Sequence, residues 1–326
     1  VVPVRQVQLL KSGMDADSSK FTGDKWGGKH LRAPDIYLTI LQKGAERIVD
    51  LGTIVRVETY LNTGGADDFF IVRPSRRYVA EEMVEIVSAS GQGFQIEAQW
   101  VRPFIKSPTE LQRIWTDEED AEWLLVVPPL KVGTDELIGR YIRWGEVQGY
   151  HLRSGCRHRN PWWRLPPQAT NPGEVLWSRL HHEKHLVVYN PHRISNTNFY
   201  ALHSSKARLV AGILNSSLFA FLKEVIGKAN FGGGVLKTDG NDLKPFPFIN
   251  IHRLAAEEID RIVAAFDRIA RRKIGPVFEE IKKPDRRELD AAVFDLLGLT
   301  REEQDSVYEE LVRLIRRRVE KARSLQ

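Results

Sequence analysis

The sequence predicts an α+β protein: a β-rich domain with a few helices, followed by a C-terminal bundle of amphipathic helices. Three observations predict it. Between Leu51 and about Ile249, short runs of β-branched and aromatic residues alternate with turns built from Gly, Asn, Asp and Pro. After Pro245-Phe246-Pro247-Phe248 the texture changes to charged segments whose apolar residues recur every three or four positions. The chain has 326 residues, 42% of them hydrophobic, which suffices for more than one buried core. The expected division is a linker and docking segment over 1–50, the β-rich domain over 51–250 and the helical domain over 251–326.

The elements follow in order. Ser12 to Lys29 is rich in Gly, Ser, Asp and Lys and ends in Lys25-Trp26-Gly27-Gly28-Lys29, the composition of a linker that docks through Trp26. Pro34 to Lys43 reads as a short helix stopped by Gly44. Val55, Val57 and Thr59 alternate with Arg56 and Glu58, Asn62 to Asp68 supplies a turn, and Phe69 to Val72 starts again, which is a hairpin pattern. Further strands are expected at Phe94 to Val101, Leu124 to Val127, Val175 to Leu180, Leu186 to Tyr189 and Phe199 to His203. One helix interrupts them from Ser205 to Ile226, with Leu209, Ile213, Leu218, Leu222 and Val225 on one apolar stripe and Gly227 as terminator. Beyond residue 250, Ile259, Ile262, Phe266 and Ile269 hold a helical spacing, and a second segment runs from Pro284 to Leu297, closed by Gly298. Thr300 and Glu303 form a capping box that starts a last helix with Val307, Leu311, Ile315 and Val319 on one face.

Charge singles out one region. The whole chain carries +5, yet residues 1–150 hold 18 basic and 22 acidic side chains, residues 151–251 hold 13 and 5, and residues 252–326 hold 17 and 16. The excess therefore lies in the middle hundred residues. Between Arg140 and Arg193, arginines alternate with aromatics: Tyr141, Arg143, Trp144, Tyr150, Arg153, Arg157, Arg159, Trp162, Trp163, Arg164, Trp177 and Arg179. A guanidinium fork bonds two acceptors at once, at a phosphate or a guanine edge, and stacks on aromatic faces. That composition suits nucleic acid. The alternative is that the tryptophans are packing residues and the arginines line an ordinary surface.

Other chemistry is tested and rejected. The single cysteine, Cys156, excludes a disulfide framework and fits a reducing, cytoplasmic compartment. No run of about 18 apolar residues exists to cross a membrane. Gly232-Gly233-Gly234-Val235-Leu236-Lys237-Thr238 has Leu236 where a phosphate-binding loop needs glycine before the lysine, and Gly91-Gln92-Gly93 lacks the third glycine of a dinucleotide fingerprint. Seven of the nine histidines lie between 151 and 203, but His182-Glu183-Lys184-His185 is one residue short of a zinc-protease motif. No metal site is expected; those histidines read as phosphate or base donors, or as exposed. There is no Gly-x-Ser-x-Gly elbow and no self-sufficient catalytic centre.

The order of segments then becomes informative. Lys25-Trp26-Gly27, Leu31-Arg32-Ala33-Pro34-Asp35-Ile36-Tyr37, Asn62-Thr63-Gly64-Gly65-Ala66-Asp67-Asp68-Phe69-Phe70 and Pro103-Phe104-Ile105-Lys106-Ser107-Pro108 occur in series. Arg140-Tyr141-Ile142 to Glu146, Cys156 to Arg159 with Trp162-Trp163, and Leu214-Asn215-Ser216-Ser217 follow, with Arg286 to Asp290 and Leu297-Gly298-Leu299 near the end. This series resembles the region that follows the catalytic domain in the Eco57I and TaqI type of N6-adenine DNA methyltransferases. The resemblance implies a target-recognition domain of a restriction-modification system, one that reads duplex DNA while a Rossmann-like neighbour binds S-adenosylmethionine and methylates a flipped adenine.

The family's glycine-rich cofactor loop and catalytic Asn-Pro-Pro-Tyr are absent; Asn160-Pro161-Trp162-Trp163 lacks the second proline. No catalytic residue and no cofactor are therefore expected in this chain, and S-adenosylmethionine is expected in a catalytic domain outside it, fused or separate. The start at Val1, without methionine, fits that expectation. DNA contacts are expected from Arg143, Arg153, Arg157, Arg159, Arg164 and Arg179, with Trp162 or Trp163 stacking or wedging, and from Lys106 and Lys237 in motif-like loops. Two other readings stay open: a free-standing specificity subunit, and a protein-interaction scaffold in which the basic strip is incidental.

Overall fold

The computed structural model describes residues 33–59, 61–80, 82–117, 122–127, 136–192, 194–196, 198–231 and 234–323, together with Gln6, Leu10, Met14 and Phe21. The expected docking motif at Lys25-Trp26-Gly27 lies outside these residues. The fold is α+β, as the sequence predicts, and its apolar side chains form two cores.

The first core takes in α1 (Asp35–Lys43) and an antiparallel sheet of order β10 (Val187–Tyr189), β8 (Val175–Ser178), β12 (Phe199–His203), β2 (Arg56–Glu58). The helices α4 (Ala207–Leu214), α5 (Ser217–Ile226), α6 (Gly240–Leu243), α7 (Ala256–Ala270), α8 (Val277–Glu280), α9 (Pro284–Leu296) and α10 (Arg301–Arg323) pack on it. All four residues of β8 are buried, which is why Val-Leu-Trp-Ser shows no alternation. Two small sheets border this body: β1 (Ile48–Asp50) pairs with β15 (Pro247–Ile249), and β14 (Val235–Lys237) lies between β13 (Lys228–Phe231) and β9 (Leu180–His181). Across the boundary expected near residue 250, Ile262, Phe266, Leu289, Phe294 and Leu311 share one core with Trp177, Phe199 and Phe248.

The second core is formed by residues 61 to 169 around a six-stranded sheet of order β11 (Ser195–Asn196), β6 (Val101–Ile105), β7 (Glu122–Leu125), β3 (Ile71–Ala80), β4 (Met83–Val87), β5 (Gly93–Glu97). Three residues, Ala98 to Trp100, join β5 to β6, which lie four strand positions apart. In a flat sheet that separation is about 19 Å, beyond the roughly 14 Å that so short a link can span. The sheet therefore curls. α3 (Leu137–Val147) starts against its edge, where the Glu97 carboxylate accepts from the Leu137 and Ile138 amides at 3.2 Å each and caps the helix.

Two expected elements differ. Val57 pairs with Leu202, so β2 belongs to the first sheet and β3 to the second, and no hairpin joins them. The intervening turn starts a helix instead: the Gly64 amide donates to Asn62 Oδ1 at 2.8 Å, the Thr63 hydroxyl to Asp67, and α2 (Asp67–Phe70) follows. The single helix expected over 205–226 is two, bent by 70° at Asn215. Asn215 there pairs through its side-chain amide with the Val187 backbone, accepting from its N–H at 3.3 Å and donating to its carbonyl. Ser216 caps the new start, and Asp290 accepts from the Ser217 amide at 2.7 Å and its hydroxyl at 2.6 Å. Polar side chains, invisible to an apolar-stripe argument, satisfy the backbone groups that the break releases.

Candidate nucleic-acid interface

The arginine-aromatic strip divides into two clusters in space. In the first, α3 buries Ile138, Tyr141, Ile142 and Gly145 and exposes Arg140, Arg143, Glu146 and Val147. Its aromatics stack inward: Phe69 lies 5.0 Å from Tyr141, 5.7 Å from Tyr150 and 4.7 Å from Trp162 between ring centroids, and Tyr141 Oη donates to the Phe69 carbonyl at 2.9 Å. Gly145 has to be glycine because a Cβ would meet the Phe69 ring at 2.5 Å.

The loop after α3 is clamped to the 62–65 turn by direct backbone approach. A Cβ on Gly155 would lie 2.4 Å from Gly64 Cα, and the Gly155 amide donates to the Gly64 carbonyl at 3.2 Å. Beneath the contact Cys156 is buried, its thiol 3.5 Å from the Thr63 carbonyl, and burial pushes its pKa up, away from nucleophile chemistry. Arg159 closes the clamp, donating to the Asn62 carbonyl at 2.9 Å and the Thr63 carbonyl at 3.3 Å.

Each expected site residue can now be placed. Arg143, Arg153, Arg157 and Arg164 are exposed on α3 and this loop; Arg153 sits 5.9 Å from the Tyr150 ring centroid, and Arg157 Nε donates to His158 Nε2 at 3.0 Å. Arg159 is half-buried and occupied by main-chain carbonyls. Trp162 and Trp163 are half-buried against the second core, with Trp162 Nε1 donating to Glu146 at 3.0 Å. The remaining three gather elsewhere, around Asn198, whose φ of 63° places it in the left-handed region. Its side-chain amide donates to the Lys106 carbonyl at 3.2 Å, the Arg179 amide donates to the Asn198 carbonyl at 3.2 Å, and the Thr238 amide donates to the Arg179 carbonyl at 3.0 Å. Lys106 is exposed, Arg179 half-buried, and Lys237 is ion-paired with Asp239 at 2.8 Å. Nothing in the sequence marks Asn198 as the organiser of this second group.

The histidine expectation needs correction at two positions. His181 and His185 are buried, with rings stacked at 5.0 Å, rather than surface donors. His185 Nε2 lies 2.7 Å from the Glu224 carboxylate, which also accepts two hydrogen bonds from Arg318 at 2.7 and 3.0 Å. Burial holds both imidazoles below their ordinary pKa, most strongly at His181. Burial also opposes ionisation of Glu224, but His185 and Arg318 outweigh it and lower its pKa. Beside them buried Lys223 donates to the Leu214 carbonyl at 3.2 Å, and desolvation lowers its pKa to about 7.

A curled sheet joined to a helix-covered second body has a counterpart among solved structures. The type IIG restriction endonuclease BpuSI matches 96% of this chain with a TM-score of 0.56 at 12% identity, a likeness of fold that covers 38% of that protein. Sequence gives the family: residues 23–281 match the family described as Type II methyltransferase M.Eco57I, C-terminal domain, and the chain belongs to it. The Type II methyltransferase M.AccI of Acinetobacter calcoaceticus is 24% identical over 184 residues, 52% of this chain and 34% of that relative. The chain thus spans little more than a third of the length of either relative.

Proposed function

We propose that this chain reads the sequence of duplex DNA as the target-recognition part of an adenine-N6 methyltransferase of restriction-modification type, working in the cytoplasm. The observation that carries the reading is the clamped loop: Arg153, Arg157 and Arg164, with Arg143 beside them, project from a backbone fixed by the Gly64–Gly155 contact and the Phe69 aromatic cluster. Cations on a fixed scaffold meet phosphates and base edges at low ordering cost. Membership of a family of methyltransferase C-terminal domains supports the same reading.

Methyl transfer is assigned to a catalytic partner domain, fused or separate, that holds S-adenosylmethionine. The placement of the glycine stretches supports putting that cofactor outside this chain. Gly91 and Gly93 lie in the antiparallel β4–β5 hairpin, Gly234 in the β13–β14 connection, and Gly64 and Gly65 before a four-residue helix, so none joins a strand to a long helix. Trp162 and Trp163, at the end of the Asn-Pro-Trp-Trp stretch, pack against the second core.

The test is a titration of duplex DNA against alanine variants of Arg143, Arg153, Arg157 and Arg164. A base-reading arginine relaxes preference at one position at a cost of about 1–3 kcal/mol, whereas a phosphate contact weakens all duplexes and reduces the salt slope by about 0.9. Unchanged binding in all four variants contradicts the assignment.

A further inference from the structure

The arginine series leaves unexplained an apolar pair at the tip of the same loop. Val147 ends α3 and is 83% exposed; Leu152, five residues on, is 68% exposed. Both belong to a tight corner. The Gln148 and Gly149 amides donate to Trp144 and Glu146 carbonyls at 2.9 Å, and Gly149 turns the chain at a φ of 79°. The Leu152 amide then donates to the Gly149 carbonyl at 3.1 Å. Between the two apolar residues Tyr150 points inward, 5.7 Å from Phe69 and 5.8 Å from Trp144 between centroids. The corner is thus anchored by one buried aromatic, while two aliphatic side chains stand in water. Burying them would be favourable by about 25 cal/mol per Å², and none of the described residues does so.

Charge around the pair identifies what covers it. Arg143 lies one helical turn before Val147 and on its face, Arg153 follows Leu152, and Arg157 is exposed just beyond. Of the described acids nearby, Glu146 accepts from Trp162 at 3.0 Å and Asp68 lies by Tyr150. An aliphatic tip ringed by guanidinium groups matches a surface that is anionic outside and apolar within, the edge of a base-pair stack between phosphate backbones.

We propose that Val147 and Leu152 are specificity contacts that enter a DNA groove and pack against the apolar face of the bases, the thymine methyl above all, while the neighbouring arginines hold the phosphates. The inference rests on the reading of the chain as a DNA-recognition domain. It also separates two kinds of contact on one loop, because the aliphatic pair carries no charge and contributes nothing to counterion release.

The experiment measures the full chain and its Val147→Ser, Leu152→Ser and doubly substituted variants on a duplex that the unsubstituted chain selects from a random pool, and on scrambled duplexes, at two salt concentrations. Thermal melting confirms folding, which substitution at exposed positions leaves unchanged. The expected result is a loss of about ten- to hundredfold on the selected duplex, no change on scrambled DNA and an unaltered salt slope. Equal affinity of variants and parent on the selected duplex, or an equal drop on both duplexes, overturns the inference and leaves the corner free for a protein partner. A parent chain that selects no sequence overturns the recognition reading itself, and this inference with it.

Discussion

Arg157 and Arg159 are two residues apart, and the fold gives them opposite surroundings. Arg157 is exposed and donates to His158, while Arg159 is bonded to two carbonyls of the 62–64 turn. Replacing Arg159 by Ala is therefore expected to lower the melting temperature, since it removes two hydrogen bonds to main-chain carbonyls at about 0.5–1.5 kcal/mol each, whereas Arg157→Ala lowers DNA affinity and leaves melting unchanged. Melting and binding curves of the two variants side by side check this. Gly155→Ala provides a second residue-scale test: its Cβ would lie 2.4 Å from Gly64 Cα, backbone on backbone with no flexible atom to move. A stability loss of about 1–3 kcal/mol in urea unfolding is expected. Arginine-aromatic alternation made the strip legible in the sequence. Which arginine faces solvent was not, because that depends on carbonyls 96 and 97 positions away.

At the scale of elements, helix starts and stops were readable where side chains cap their own helix. Gly44 follows α1, and the Thr300–Glu303 box precedes α10, with the Thr300 amide donating to Glu303 at 2.7 Å. Breaks and pairings set by distant partners were not readable: Asn215 splits a continuous apolar stripe because it bonds β10, and β2 leaves its neighbour in sequence for β12. The attachment of α10 is likewise polar. Arg318 reaches from α10 to Glu224 on α5 and to the carbonyls of His182 and Gly234. Arg318→Met leaves Glu224 buried beside His185 alone, and a loss of about 3–5 kcal/mol is expected in chemical unfolding. The same cluster gives the protein a pH dependence whose sign is fixed. His181 and His185 stay neutral in the fold below their ordinary value, so the unfolded chain binds protons that the native one does not, and stability falls as pH drops below about 6.5. Lys223, lowered to about 7 by burial, adds a fall in the same direction between pH 10.5 and 7. Melting temperature measured from pH 8 to 5 should decline, and His181→Phe should flatten the decline below pH 6.5.

For the whole molecule, the fold class and the order of elements were legible because burial patterns of period two and 3.6 do not depend on where an element docks. The division into bodies does depend on docking. Residues on both sides of position 250 share one core, and the change from strands to amphipathic helices there marks a change of element type within it. The clamped arginine loop belongs to the other core, with its own sheet and its own aromatic floor. The two bodies meet through the parallel pairing of β11 with β6. A chain arranged this way carries basic loops on a fixed base, and the role proposed for those loops is to distinguish one DNA sequence from another. Selection of bound fragments from a pool of random duplexes at physiological salt tests this most directly. Enrichment of one short motif, with affinity for it falling steeply as salt rises, is the predicted result; flat recovery of all sequences would contradict it.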